Sequence, residues 1–267
     1  MFTVREYVRP SSLDEAYELL QKNKKNTILG GLLWLRMGDR AINKGIDLSN
    51  LGLGLIEETD DEFIIGAMVT LRDIEVHPAL NNEFDGVFKD TVKHIVGVQF
   101  RNLATVGGSI YSRFGFSDVL TSFLALDSYV VLQGAGKMSM SEFVELGYTR
   151  DIVTKIIIKK DGRKISYLTQ RNSKTDIPVL ALATSKSEDG WKISVGSRPH
   201  KAKLAVKAAS MLSVNPSSEE IEKACEKLVS ELGFASNMRA SKEYREIIAK
   251  VLLERTIRVV EGDNYDN

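Results

Sequence analysis

The sequence predicts an α+β protein built from two or three compact units, and three observations carry that prediction. Short apolar, β-branched runs alternate with amphipathic stretches through the first 160 residues. A charged turn, Lys159-Lys160-Asp161-Gly162-Arg163-Lys164, then marks a compositional shift of the kind found at domain boundaries. Beyond it, three strand candidates are followed by two long helices. On this reading residues 1–160 form a first domain, itself divided at about residue 55, and residues 161–267 form a smaller α+β domain with a three-stranded sheet.

Phe2 to Val8 reads as extended chain. A serine then precedes acidic residues and apolar ones at 13, 16, 17, 19 and 20, the pattern of a capped amphipathic helix. Thr27-Ile28-Leu29, Gly30-Gly31 and Leu32 to Met37 read as strand, tight turn and helix. Strand signals recur at Gly45–Leu48 and Glu62–Ala67, helical ones over 70–78 and 83–97. A second glycine pair, Gly107-Gly108, closes the run from Arg101. Asp118–Ala125 is a short apolar helix, and Ser128–Leu132 and Ile152–Ile158 are strands. In the second domain the strands fall at Ile165–Gln170, Val179–Ser185 and Trp191–Gly196. Helices start at Ser218 and Ser241, with Ile221, Ala224, Cys225, Leu228 and then Tyr244, Ile247, Ile248, Val251 at helical spacing.

Composition narrows the chemistry. Lys+Arg and Asp+Glu number 36 each, so no global field attracts nucleic acid or an anionic membrane. The single Cys225 excludes an internal disulfide, a cysteine zinc site and a protein-ligated iron–sulfur cluster within the chain. His77, His94 and His200 lack metal-ligand spacing. The charged opening residues do not read as a signal peptide, and no window approaches a membrane span. The expectation is a soluble protein of a reducing, cytoplasmic compartment. Any difficult chemistry falls to an organic cofactor.

The glycine pairs are the main candidates for holding one. Glycine permits positive φ and lets main-chain N–H groups approach a ligand, and successive N–H groups make an anion-binding nest. Two such turns could grip a pyrophosphate between them. Taken singly, each pair reads first as a tight turn and second as a ligand loop. Neither fits G-x-G-x-x-G, and Gly134-Ala135-Gly136-Lys137 lacks the spacing and hydroxyl of a phosphate loop, so it reads as a hairpin turn. Asp118 reads first as a helix cap with Ser117, and second as a carboxylate reaching a ribose or ring hydroxyl or fixing the glycine loop. Trp34, Phe114 and Phe116 could flank a flat cofactor or belong to the core.

The run Arg101-Asn102-Leu103-Ala104-Thr105-Val106-Gly107-Gly108-Ser109-Ile110 resembles the R-N-x-A-T-I-G-G-N-I motif of the FAD-binding subunit of molybdenum hydroxylases. That group includes xanthine dehydrogenase and the medium subunit of aerobic carbon monoxide dehydrogenase. The similarity continues through Ser117-Asp118-Val119-Leu120 and Leu124 to Leu132, and upstream through Tyr7 to Ala16, Ile28 to Gly31 and Glu62 to Thr70. Arg171 to Ile177 resembles the family's R-x-x-x-D-I segment, and Met238 to Arg245 its R-A-S-x-x-Y-R. The likeness thus runs in order along essentially the whole chain.

The resemblance implies a two-subdomain FAD-binding (PCMH-type) domain followed by a C-terminal α+β domain. It implies a [2Fe–2S] subunit and a molybdopterin-binding large subunit as partners, with electrons passing through FAD to NAD or another acceptor. Position by position, it puts the pyrophosphate on the backbone of Thr27, Ile28, Leu29, Gly30, Gly31, Leu32, Leu33 and Trp34. It gives Thr105, Gly107, Gly108, Ser109 and Ser112 a second phosphate and ribityl contact, and Asp118 the ribityl or adenosine side. Ile95 adjoins the flavin, and Ile152 or Val153 lies against the isoalloxazine. No acid–base residue is implied. The chain departs from the family pattern at four places: Leu32-Leu33 stand for polar residues, Ser109 for asparagine, Arg113-Phe114-Gly115 for a small A-S-P, and Thr169 for a frequent lysine. The alternative they suggest is a flavin-free assembly subunit on the same fold.

Overall fold

The computed structural model describes residues 1–262. The chain begins with β1 (Thr3–Val8), α1 (Leu13–Lys22), β2 (Thr27–Leu29), α2 (Leu33–Arg36) and β3 (Ala41–Asp47). These strands form a three-stranded sheet, β1-β3-β2, in which both outer strands run parallel to β3. Ser12 caps α1 by accepting from the Glu15 N–H. Ala16 and Leu20 of α1, with Ile46, Leu48 and Leu53, make a small core that borrows Ile152 from the next unit.

The second unit holds β4 (Ile56–Glu58), β5 (Glu62–Gly66), α3 (Leu71–Val76), α4 (Pro78–Glu83), α5 (Val87–Val92), α6 (Val98–Arg101), α7 (Val106–Tyr111), α8 (Asp118–Ala125), β6 (Ser128–Leu132), β7 (Gly136–Ser139), α9 (Met140–Glu145) and β8 (Val153–Lys159). Its five strands form an antiparallel sheet in the order β4-β5-β8-β6-β7, and the β6–β7 turn is the expected hairpin at Gly134-Ala135. The helix expected over 83–97 is shorter: Asp85 and Gly86 have positive φ before it, and Val96 after it, which confines α5 to six residues. The short elements β4, β7, α6 and α9 carry too little periodicity to read from sequence.

The third unit comprises β9 (Lys164–Gln170), β10 (Leu180–Ser187), β11 (Gly190–Gly196), β12 (Lys203–Leu204), α10 (Val206–Ala209), α11 (Ser218–Leu232) and α12 (Lys242–Glu261). The three expected strands are joined at one edge by the two-residue β12, giving the antiparallel order β12-β11-β10-β9. Alternation along β10 sorts its side chains between two cores. Leu180 and Leu182 join Ile193 and Val195 beneath α11 and α12, while Ala181 and Ala183 join the core of the second unit. Those small residues let α8 lie against the sheet, where Thr121 fills the space that a Cβ on Gly196 would take. Arg245, the largest fully buried side chain, donates to the carbonyls of Val179, Ala235 and Ala240 at 2.7–2.9 Å. Arg198 does the same to Leu232 and Gly233 at the end of α11. Among the described residues no helix is long and apolar enough to cross a membrane.

Candidate functional site

The first glycine pair leaves the end of β2, a strand held in parallel register with β3 through Thr27↔Gly45 and Ile28↔Ile46. Positive φ does not fall on the glycines but on the next residue, Leu32, at 64°. The glycines are needed for space. A Cβ on Gly31 would overlap the Leu103 carbonyl, and one on Gly30 would stand 3.1 Å from Thr105 Oγ1. Among the described residues, the backbone N–H groups of Gly30, Gly31 and Leu32 donate to no protein acceptor. A row of free N–H groups at a chain reversal is an anion-binding nest.

The second pair is not the tight turn expected from sequence. Gly107 and Gly108 lie in the first turn of α7, whose N-cap is Thr105, and their amides are already used. Val106 N–H donates to Val69 O at 2.8 Å, Gly107 N–H to Ala67 O at 2.9 Å, and Gly108 N–H to Thr105 Oγ1 at 3.2 Å. Glycine at 107 is again a matter of room, since a Cβ there would come within 2.6 Å of Ala67 Cβ. What this segment turns outward is hydroxyl oxygen. Ser109 and Ser112 donate back to the carbonyls of Thr105 and Gly108, each at 2.9 Å, and keep their acceptor capacity.

Between the two segments lies a cavity of about 760 Å³, closed on its third side by the C-terminal unit. Thr27, Ile28, Gly30, Gly31, Leu32, Leu33 and Trp34 line one wall. Thr105, Gly107, Gly108, Ser109, Ser112 and Asp118 line another, and Ile95, Ile152 and Val153 complete it. Of the residues that the resemblance assigns to FAD, Leu29 alone is off the wall; its buried side chain packs towards Gly45. Trp34, Phe114 and Phe116 are wall residues that form one cluster, with the two phenyl rings stacked at 5.1 Å and the indole 5.2 Å from Phe114. They tie the first loop to the segment after α7.

Asp118 is not the cap of α8. Ser117 does that alone, accepting from Leu120 N–H at 3.0 Å. The Asp118 carboxylate is buried and accepts hydrogen bonds from Tyr167 Oη and Arg171 Nη2, both in the C-terminal unit. Burial pushes its pKa up to about 6 in spite of the Arg171 charge. The same burial, with the Asp118 charge beside it, holds the Tyr167 phenol well above its usual range. Arg171 also donates to Thr169 Oγ1 at 3.2 Å, so the threonine found where lysine is frequent supports an arginine instead. Arg113, which opens the Arg113-Phe114-Gly115 departure from the family's A-S-P, is not a wall residue of the cavity. Its guanidinium donates to Phe143, Leu146 and Gly147 carbonyls and lies 4.5 Å from the Phe143 ring.

Sequence reasoning missed Arg171, Arg150, Phe100, Tyr111 and Tyr148 as wall residues. Arg171 opens a segment already noticed for its likeness to R-x-x-x-D-I, which was the available signal. The others leave none.

The pattern of the family described as "FAD binding domain in molybdopterin dehydrogenase" matches residues 2–160. The chain belongs to this family. Residues 167–260 match the "CO dehydrogenase flavoprotein C-terminal domain". The nicotine 6-hydroxylase medium subunit of Paenarthrobacter nicotinovorans is 26% identical over 94% of this chain and 95% of that protein. The nicotinate dehydrogenase FAD-subunit of Eubacterium barkeri is 29% identical over 58% of each. Reconstituted CO dehydrogenase from Oligotropha carboxidovorans shares the fold, with a TM-score of 0.88 at 20% identity over 98% of this chain and 99% of that one. The protein is therefore an oxidoreductase subunit of the molybdenum hydroxylase family, with FAD as its cofactor. The cavity suits that cofactor. It offers free N–H donors for a diphosphate, hydroxyl acceptors opposite, and an aromatic and aliphatic lining for ring systems.

Proposed function

We propose that this chain is the electron-transfer subunit of a multi-subunit molybdenum hydroxylase. In this reading a [2Fe–2S] subunit, supplied by a molybdopterin-binding large subunit, delivers electrons to its FAD, and NAD or another acceptor removes them. Both partners and a cytoplasmic location belong to the proposal. The observation that carries it is the row of unpaired N–H groups from Gly30 to Leu32, facing the Thr105–Ser112 helix across one cavity.

When bound, FAD supplies the redox chemistry itself, exchanging electrons one or two at a time. The chain binds and orients it. Gly30, Gly31 and Leu32 donate N–H groups to the diphosphate, and Leu33 and Trp34 continue that wall. Thr105, Ser109 and Ser112 present hydroxyls, for which Gly107 and Gly108 leave room, and Asp118 limits the space at the C-terminal side. Ile95, Ile152 and Val153 exclude water from a ring system, while Thr27 and Ile28 form the floor of the first loop and Leu29 anchors it from beneath. No side chain is assigned a proton-transfer step. Residues 1–160 act as the cradle, and Arg171 and the 175–178 segment of the C-terminal unit as its third wall.

The test is a titration of the flavin-free chain with FAD, followed by flavin absorbance and fluorescence. One FAD per chain is expected. The second reading, a flavin-free assembly subunit, is favoured by Leu32-Leu33 at the nest and by the commitment of Arg113 to carbonyls. Absence of flavin after incubation, together with stable association with the partner subunits, would establish it instead.

A further inference from the structure

One side chain makes most of the hydrogen bonds that join the unit carrying the first glycine loop to the rest of the molecule. The last turn of α1 ends without a glycine cap, its C-cap Asn23 being extended. Asn26 serves two of the carbonyls at this end, its Nδ2 donating to Leu19 O at 2.6 Å and its N–H to Asn23 O at 2.9 Å, which leaves the Leu20 carbonyl to a donor from outside the unit. Arg150, from the segment before β8, reaches across to supply it and to bind the carbonyls around it. Nε and Nη2 donate to Leu20 O at 2.9 and 2.7 Å, and Nη2 also to Asn23 O at 2.6 Å and Asn26 O at 2.8 Å. Nη1 donates to Lys24 O at 3.3 Å, and Gln21 Nε2 answers by donating to Arg150 O at 2.7 Å. A planar fork of five donors meets this fan of acceptors as no ammonium could.

Arg150 is itself fixed from behind. The carboxylate of its buried neighbour Asp151 accepts from the N–H groups of Gly134 and Ala135, both at 2.9 Å, in the β6–β7 turn. A stiff connection therefore runs from the five-stranded sheet through Asp151 and Arg150 to Asn26. Asn26 immediately precedes β2, and Gly30 immediately follows it. Arg150, Asn26 and Gly30 line the same cavity.

We propose that Arg150 is a positioning residue that sets the first glycine loop against the α7 segment, and so fixes the spacing across which FAD is held. The proposal rests on the FAD reading for its consequence, but the clasp is testable without it. The experiment uses the full chain, freed of flavin, with Arg150→Met, which keeps the aliphatic stem, and Arg150→Lys, which keeps the charge. Hydrogen exchange in the flavin-free protein should quicken at least tenfold over residues 20–36 in Arg150→Met and stay unchanged over 105–112. FAD dissociation constants from fluorescence quenching should rise 10- to 100-fold in Arg150→Met and severalfold less in Arg150→Lys.

Affinity within twofold of the natural protein together with unchanged exchange at 20–36 overturns the proposal, as does faster exchange spread evenly over the whole chain. If Arg150→Met does not fold, Arg150→Lys decides alone: locally raised exchange at 20–36 supports the clasp, and unchanged exchange defeats it. If the natural chain takes up no FAD, the functional reading fails while the exchange pattern still decides the role of Arg150.

Discussion

The two glycine pairs are the same dipeptide in opposite circumstances. At Gly30-Gly31 the amides are free and the chain rests on a neighbouring carbonyl. At Gly107-Gly108 the amides are spent on Ala67 and Thr105, and the glycines serve to bring a helix against a strand end. One hydroxyl, Thr105 Oγ1, stands beside a glycine of each pair, at 3.1 Å from a Cβ on Gly30 and 3.0 Å from one on Gly108. A glycine pair therefore does not announce a nest. Where its N–H groups go decides whether it binds a ligand or builds the wall opposite.

The comparison can be broken most directly at Gly31. A methyl group there would force the loop off the Leu103 carbonyl, so Gly31→Ala should weaken FAD binding by 1,000-fold or more, about 4 kcal/mol. The overlap is with backbone, so its thermal midpoint without flavin should fall as well. FAD affinity within about tenfold of normal in the protein that remains folded would make the first pair a structural element like the second.

Next in size is the carboxylate at the start of α8, beyond the second pair. The folded pKa of Asp118, about 6, exceeds the ordinary aspartate value of 3.8 that it has in the unfolded chain, so the folded state holds the proton more tightly. That contribution is fully present below about pH 4 and is lost as pH rises through about 6. The natural protein should therefore lose on the order of 3 kcal/mol relative to Asp118→Asn between those limits, from two units at about 1.4 kcal/mol each. Denaturant unfolding of both proteins across pH 4–7 measures it, and parallel curves would refute it.

The smallest effect is expected at Gly107. With Ala67 Cβ at 2.6 Å the added methyl is an overpacking substitution, so Gly107→Ala should cost about 2 kcal/mol of stability. The protein that remains folded should bind FAD within about tenfold of normal. Loss of FAD without loss of stability would reverse the contrast between the pairs.

Much of the fold was legible because its signals are local. The serine before α1, the β-branched run of β6 and the apolar spacing of α11 each declare their element within a few residues. The outline of the site was legible too, since the wall residues come from two short runs. What sequence did not disclose is decided by distant partners. The Val69 and Ala67 carbonyls that consume the second nest lie some forty residues upstream of it. Tyr167 and Arg171, which claim Asp118, lie 49 and 53 residues downstream of it. Nor does an arginine in a sequence reveal that it binds carbonyls rather than a phosphate, as Arg113 does.

Four arginines, at 113, 150, 198 and 245, spend their guanidinium groups on main-chain oxygen. A joint made in this way has a one-sided genetic signature. Because the acceptors belong to the backbone, no side-chain replacement at Leu20, Asn23, Lys24 or Asn26 can delete them. The arginine has no such redundancy. Under mutation the exposed positions Asn23 and Lys24 are free to drift in sequence, whereas Leu20 is held by the small core and Asn26 by its own amide bonds, and the place of the segment is dictated from position 150.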